Sequence, residues 1–266
     1  MNGNRNHIAL LLVLAFILLA ACYKTRKEQS ISLKTIPPVL LKKNGAELFQ
    51  YWEFRNTSFL WDTNFIQSAS LKGYKDSVSN ILGKDSFHQI ILTRIRQDSS
   101  FKSVITQNGD SINEQLIHSS RVGKIRPINY LESELVDYQL SRYALFSNPT
   151  EFHGFILLND SLGLVRVYFA ASDQPWPPKP TVILQAVKTD LTHGWTFKYH
   201  LHNHYEPMSN HYLGILAPSM TDAQYYVFLK DEYNLEQSLI TNGFHTVEIK
   251  KEEFVLLTTP ETNFKK

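Results

Sequence analysis

The chain is poor in cysteine: Cys22 is the one cysteine among 266 residues, so no disulfide can form within it and the fold must rest on a packed apolar core. Charge of either sign is scarce as a surplus. Lys and Arg outnumber Asp and Glu by a formal net charge of only +2. No basic stripe interrupts that balance, which argues against nucleic acid as a partner. Long apolar runs are also lacking beyond Ile8–Ala21, and there is no internal repeat and no low-complexity tract. Aromatic residues are plentiful instead, with 16 Phe and 13 Tyr, a composition suited to a folded globular protein of one or two domains.

Residues Ile8–Ala21 carry no charge and follow Arg5. The run is short for a permanent span, which needs roughly 20 apolar residues, but it matches the apolar segment of a secretory signal. It ends in Leu19-Ala20-Ala21-Cys22, which resembles the lipobox of bacterial lipoproteins. That resemblance implies cleavage before Cys22 and attachment of diacylglycerol to its thiol. The expected location is the cell envelope, lipid-anchored at the periplasmic face of an outer membrane, with the lipid as the membrane contact.

The organisation expected from the sequence is a signal peptide over 1–21, a tether over 22–45, and an N-terminal accessory region over 46–121. A metal-binding domain over 122–258 and a tail over 259–266 complete it. Within the accessory region, Glu47–Trp52 suggests a short helix, Phe87–Ile95 a strand, and Asn108-Gly109-Asp110 a turn. In the main domain, Ile128–Tyr143 reads as an amphipathic helix ended by Asn148-Pro149-Thr150. Phe152–Leu158 and Leu162–Ala170 flank Asn159-Asp160-Ser161 as a hairpin. Further apolar segments fall at Thr181–Val187 and Trp195–Leu201 after a proline-rich loop, Pro175–Pro180. Met220–Leu239 is helix-like, and Ser238–Ile249 suggests a closing strand. Strands mixed with flanking helices predict an α/β class, an α+β mixed sheet flanked by helices.

Five of the ten histidines lie at His193, His200, His202, His204 and His211. In extended chain, residues two apart share a side, so His202 and His204 can offer two neutral imidazoles to one cation. Further on, Ser219-Met220-Thr221-Asp222 leads into the helix-like segment. Ser-x-x-Asp at a helix start is a capping arrangement, and the same geometry can hold Asp222 as a carboxylate ligand.

His-x-His followed by Ser-x-x-Asp, with Glu151 opening an earlier strand, resembles the JAB/MPN (JAMM) zinc metalloprotease motif. His202-Asn203-His204 is most similar to its RadC-like bacterial branch. The resemblance spans Ile128–Leu257, about half of the chain. It implies a JAB/MPN-like fold, Zn2+ held by His202, His204 and Asp222, Glu151 as general base, and Ser219 as oxyanion donor. The implied activity is hydrolysis of a peptide or isopeptide bond in a peptide or protein substrate. Two features depart from the family pattern. Tyr205 stands where the family has proline, with Pro207 the next proline, and the segment between His204 and Asp222 carries an insertion containing His211. Both bear on access to the site, and His211 and His200 are possible accessory ligands.

Two other readings remain open at this level. One is a non-catalytic binding or scaffold lipoprotein with a degenerate fold of this kind. The other is a metal site built from His200, His202 and His204 without Glu151.

Overall fold

A computed structural model describes residues 31–93, 104–143, 148–204 and 214–258. The chain divides into two units, Met1–Ile36 and Pro37–Lys266. The described part of the first is a turn, in which the amides of Thr35 and Ile36 both donate to Ser32 O. The signal segment and Cys22 lie outside the described residues. Among those described, no helix is long and apolar enough to cross a membrane.

The second unit is a mixed α/β fold built on one eight-stranded sheet. Its strands are β1 (Val39–Asn44), β2 (Glu47–Arg55), β3 (Lys124–Pro127), β4 (Phe152–Asn159), β5 (Leu164–Ala171), β6 (Thr196–Asn203), β7 (Gln237–Thr241) and β8 (His245–Lys250). The helices are α1 (Ala69–Leu82), α2 (Phe87–Thr93), α3 (Val104–His118), α4 (Tyr130–Arg142), α5 (Thr181–Leu191), α6 (Met220–Tyr233) and α7 (Phe254–Thr258). The spatial order is β1-β2-β5-β4-β6-β7-β8-β3. All neighbours are antiparallel except β6 and β7, which are parallel. A parallel pair needs a crossover, and α6 supplies it.

The sheet has an apolar layer on each face. On one side Tyr138 of α4 packs edge-on against Trp52 (4.9 Å) and Phe169 (5.4 Å) and accepts a hydrogen bond from Gln50. On the other side Phe155, Tyr168, Ala170 and Phe197 form a core with Ile183 and Val187 of α5, Tyr226 and Leu229 of α6, and Phe254 of α7. Helix α4 begins at a capping box. Glu132 N–H donates to Asn129 Oδ1 (2.9 Å) and Asn129 N–H donates to Glu132 Oε2 (3.0 Å), an arrangement worth about 1 kcal/mol.

Several expectations need correcting. Glu47–Trp52 is not helical but lies in β2, because pairing with both β1 and β5 outweighs local preference. The tether does not extend to residue 45, since Val39–Asn44 pairs with β2. Phe87–Thr93 is helix, not strand. Ile91 is buried while Gln89 and Thr93 are exposed, and Ile90 N–H donates back to Ser86 O. Asn108–Asp110 is not a turn but lies inside α3. Gly109 serves close helix approach there, since a Cβ at that position would sit 2.4 Å from Met220 Cγ. Thr181–Val187 is helical within α5. Helix α6 stops at Tyr233, where Asn234 adopts a left-handed conformation (φ 56). Ser238–Ile249 holds a two-stranded hairpin rather than one strand.

Candidate metal centre

Strand β6 and the start of α6 bring the site together. Alternation along β6 places His200 and His202 on one face. His204 extends that alternation just past the strand, its N–H donating to Thr241 O at 2.9 Å. The chain near it is tightly fitted, because a Cβ on Gly214 would lie 2.2 Å from His204 O. Asp222 is the third residue of α6, in a capping box with Ser219. Ser219 N–H and Oγ–H both donate to Asp222 Oδ2, at 2.8 and 2.7 Å. Helix α3 braces this turn. Asp110 Oδ1 accepts Met220 N–H (2.7 Å), and Asn113 Nδ2 donates to Pro218 O (3.1 Å).

The ligand atoms converge. His202 Nε2 and His204 Nε2 are 3.0 Å apart. Asp222 lies 3.6 Å from each ring, through Oδ1 to His202 and Oδ2 to His204. Zinc bonds of about 2.0–2.1 Å at tetrahedral angles put neighbouring donors roughly 3.3 Å apart, so the donor set fits that ion. Among the described residues this is the one set of three such groups whose ligand atoms all lie within 4.8 Å of one another. Each imidazole is also oriented from behind. His204 Nδ1–H donates to Ile215 O at 2.7 Å, which leaves Nε2 to face the site, and His202 Nδ1 meets Tyr226 Oη at 3.4 Å.

The electrostatics favour a cation at this point. Burial opposes a charge on His204, yet the nearby carboxylate of Asp222 and the field of Glu151 outweigh it and raise its pKa to about 9. Burial lowers His202 to about 3, against the pull of Asp222. Burial also disfavours the ionised carboxylate of Asp222, but His202 and His204 hold it well below the usual range. With both imidazoles neutral, Glu151 and Asp222 leave two negative charges beside three converging donors, the complement of a divalent ion.

Glu151 immediately precedes β4 and is half-buried, and its field reaches both His204 and Tyr226. Its placement is tied to the ligand strand by the middle residue of His-Asn-His. Buried Asn203 accepts Phe152 N–H on Oδ1 (2.7 Å) and donates through Nδ2 to Thr150 O (3.0 Å), pinning both flanks of Glu151. Gln139 of α4 further holds Thr150 Oγ1 at 2.7 Å.

The residues singled out from sequence are thus arranged unequally. His202, His204 and Asp222 converge, Ser219 orients Asp222, and Glu151 lies within electrostatic reach. The Ser219 hydroxyl donates to Asp222 Oδ2 and so orients that carboxylate. His200 stands outside the cluster. Its Nε2 meets His153 Nδ1 at 2.9 Å, so the set His200, His202, His204 is not the one assembled. His211, Tyr205 and Pro207 lie outside the described residues. Sequence reasoning missed His153, whose pKa burial lowers to about 4 and which pairs directly with His202 across β4 and β6. Its signal was available, since it stands two residues after Glu151 on a predicted strand. Asn203 and Gly214 were also missed, because their contacts are long-range. Compared with known proteins, the chain matches no protein-family model, no curated protein and no solved structure.

Proposed function

We propose that this protein is a zinc-dependent hydrolase of peptide or isopeptide bonds, of the JAB/MPN kind, anchored to the cell envelope through lipid on Cys22. The observation that carries the reading is the convergence of His202 Nε2, His204 Nε2 and the Asp222 carboxylate beside Glu151. The order of elements supports it as well: α4, the strand after Glu151, the β4–β5 hairpin, His-x-His at the end of β6, then α6 and the closing hairpin. The sequence at Leu19–Cys22 supports the lipid anchor.

His202, His204 and Asp222 would hold zinc as three protein ligands, an open set of the catalytic type. Bound zinc supplies Lewis acidity at the remaining position. Glu151 takes a proton from the water that attacks the amide carbonyl and returns it to the nitrogen as the C–N bond breaks. Asn203 fixes the backbone on both sides of that carboxylate, and Ser219 fixes the aspartate ligand. Tyr226 stays protonated, its pKa pushed well up by burial, and so remains a neutral partner behind His202.

The decisive comparison is between wild type and Glu151→Gln, using the full chain purified in detergent. Elemental analysis should find about one zinc per chain in both proteins. On a peptide and isopeptide library, hydrolysis should fall by about two to four orders of magnitude in the variant. Zinc at full stoichiometry with activity indifferent to Glu151→Gln overturns the mechanism. Absence of bound zinc overturns the metal centre itself.

A further inference from the structure

The loop after β5 is brought beside Glu151 by the sheet register. Ala171, the last residue of β5, pairs with Phe152, the residue after Glu151. Glu151 N–H then donates to Pro175 O at 3.2 Å, so the next residue, Trp176, is one peptide from a direct tether to the proposed base. Trp176 is 74 % exposed, whereas Trp52 and Trp195 are buried and Trp61 is held by Asn56 and Tyr199. Burying a tryptophan is strongly favourable, and this one lies in the loop whose backbone bonds Glu151 N–H. The loop holding it is also stiff. Pro175, Pro177, Pro178 and Pro180 fix backbone angles, and Trp176 is restricted further by preceding a proline. Buried Ser172 accepts Gln174 N–H (3.2 Å) and donates to Trp176 O (3.4 Å), closing the loop on itself.

We infer that Trp176 forms the wall of a substrate subsite that takes an apolar or aromatic side chain of a peptide, on the residue adjoining the scissile bond. This rests on the metallopeptidase reading and adds a substrate class to it. A rigid, pre-positioned indole loses little conformational freedom on binding, so the contact appears as affinity rather than being spent on ordering the loop.

The test uses two probes that differ by one benzyl group, N-acetylphenylalanine hydroxamate and N-acetylglycine hydroxamate, titrated into the zinc-loaded full-length protein. Wild type should bind the phenylalanine probe about tenfold more tightly. Trp176→Ala should bind both equally, with unchanged zinc content and unchanged affinity for the glycine probe, and Trp176→Phe should recover part of the preference. A wild type that binds both probes alike, or a Trp176→Ala variant that keeps the preference, overturns the subsite. So does an equal loss of affinity for both probes in Trp176→Ala, which would assign the residue to the integrity of the metal centre. If the protein holds no zinc and neither probe binds, the metallopeptidase reading fails and the subsite falls with it.

Discussion

Two clusters of charged and polar groups lie on the same sheet and differ in how donors and acceptors are matched. Around Arg166 every group meets its opposite. The guanidinium bonds Glu53 across the β2–β5 pair and Asp190 on α5. Tyr168 Oη–H donates to Asp190 Oδ2 at 2.7 Å, and the guanidinium lies over the Trp195 ring at 4.3 Å. Around Asp222 the acceptors instead face one another, with two imidazole Nε2 atoms 3.0 Å apart and a carboxylate beside them. The first cluster pins a helix to a strand, each charge paired with its opposite. The second needs a proton on His204 to hold itself together, and a metal ion can take that proton's place. Lone pairs in excess of donors are what leave the second cluster open to a cation.

The comparison sharpens under substitution. The largest effect is expected from Asp222→Ala, which should weaken zinc binding by more than the roughly 10–100-fold typical of residues behind the ligands. Competition against a chelator of known affinity reads this directly. If zinc affinity is unaffected, the converging acceptors are not a metal site.

A pH effect comes next. In the metal-free protein His204 has a pKa of about 9, above its ordinary 6.5. Its contribution to stability is fully present below pH 6.5 and is lost as pH rises through about 9. Zinc must displace the proton, so zinc affinity should rise roughly tenfold per pH unit from 7 to about 9, a total of about 100-fold, and then level off. Calorimetry in buffers of different ionisation enthalpy should find about one proton released at pH 7. No release at pH 7 would mean His204 is already neutral, and the contrast between the clusters would weaken.

The smallest effect belongs to the matched cluster. Asp190→Ala should lower stability by about 2 kcal/mol, because Arg166 and Tyr168 each lose a partner while Glu53 and residual solvent contact retain part of the interaction. Denaturant unfolding measures the loss, and zinc content should not change. A change in zinc content with Asp190→Ala would couple two clusters that the contacts keep separate.

Much of the site was legible because its residues are local in sequence. His202 and His204 sit two apart on a strand, and Ser219 and Asp222 span one capping turn, so period and spacing alone put each pair on one side. The β4–β5 hairpin was legible for the same reason, with two apolar runs joined by Asn159–Ser161. Elements set by distant partners were not. Glu47–Trp52 becomes strand only beside β1 and β5, and Gly109 looks like a turn residue until Met220 is packed against it. The hydroxyl of Ser219 could be an oxyanion donor on sequence grounds, and only the fold shows it donating to Asp222 Oδ2.

By itself the sequence determined which chemistry was on offer. It supplied imidazoles at strand spacing, a carboxylate in a helix's first turn, a glutamate before an apolar run, and a lone cysteine after a signal-like segment. Those features follow from backbone periodicity and capping, which act over a few residues. The tertiary structure decided which of them meet. It excluded His200 by pairing it with His153, brought Asp222 to the histidines through the β6–α6 crossover, and held Glu151 in place through Asn203. Such meetings depend on sheet register and close helix packing, which no short stretch of sequence specifies, because each contact is fixed by residues tens of positions away.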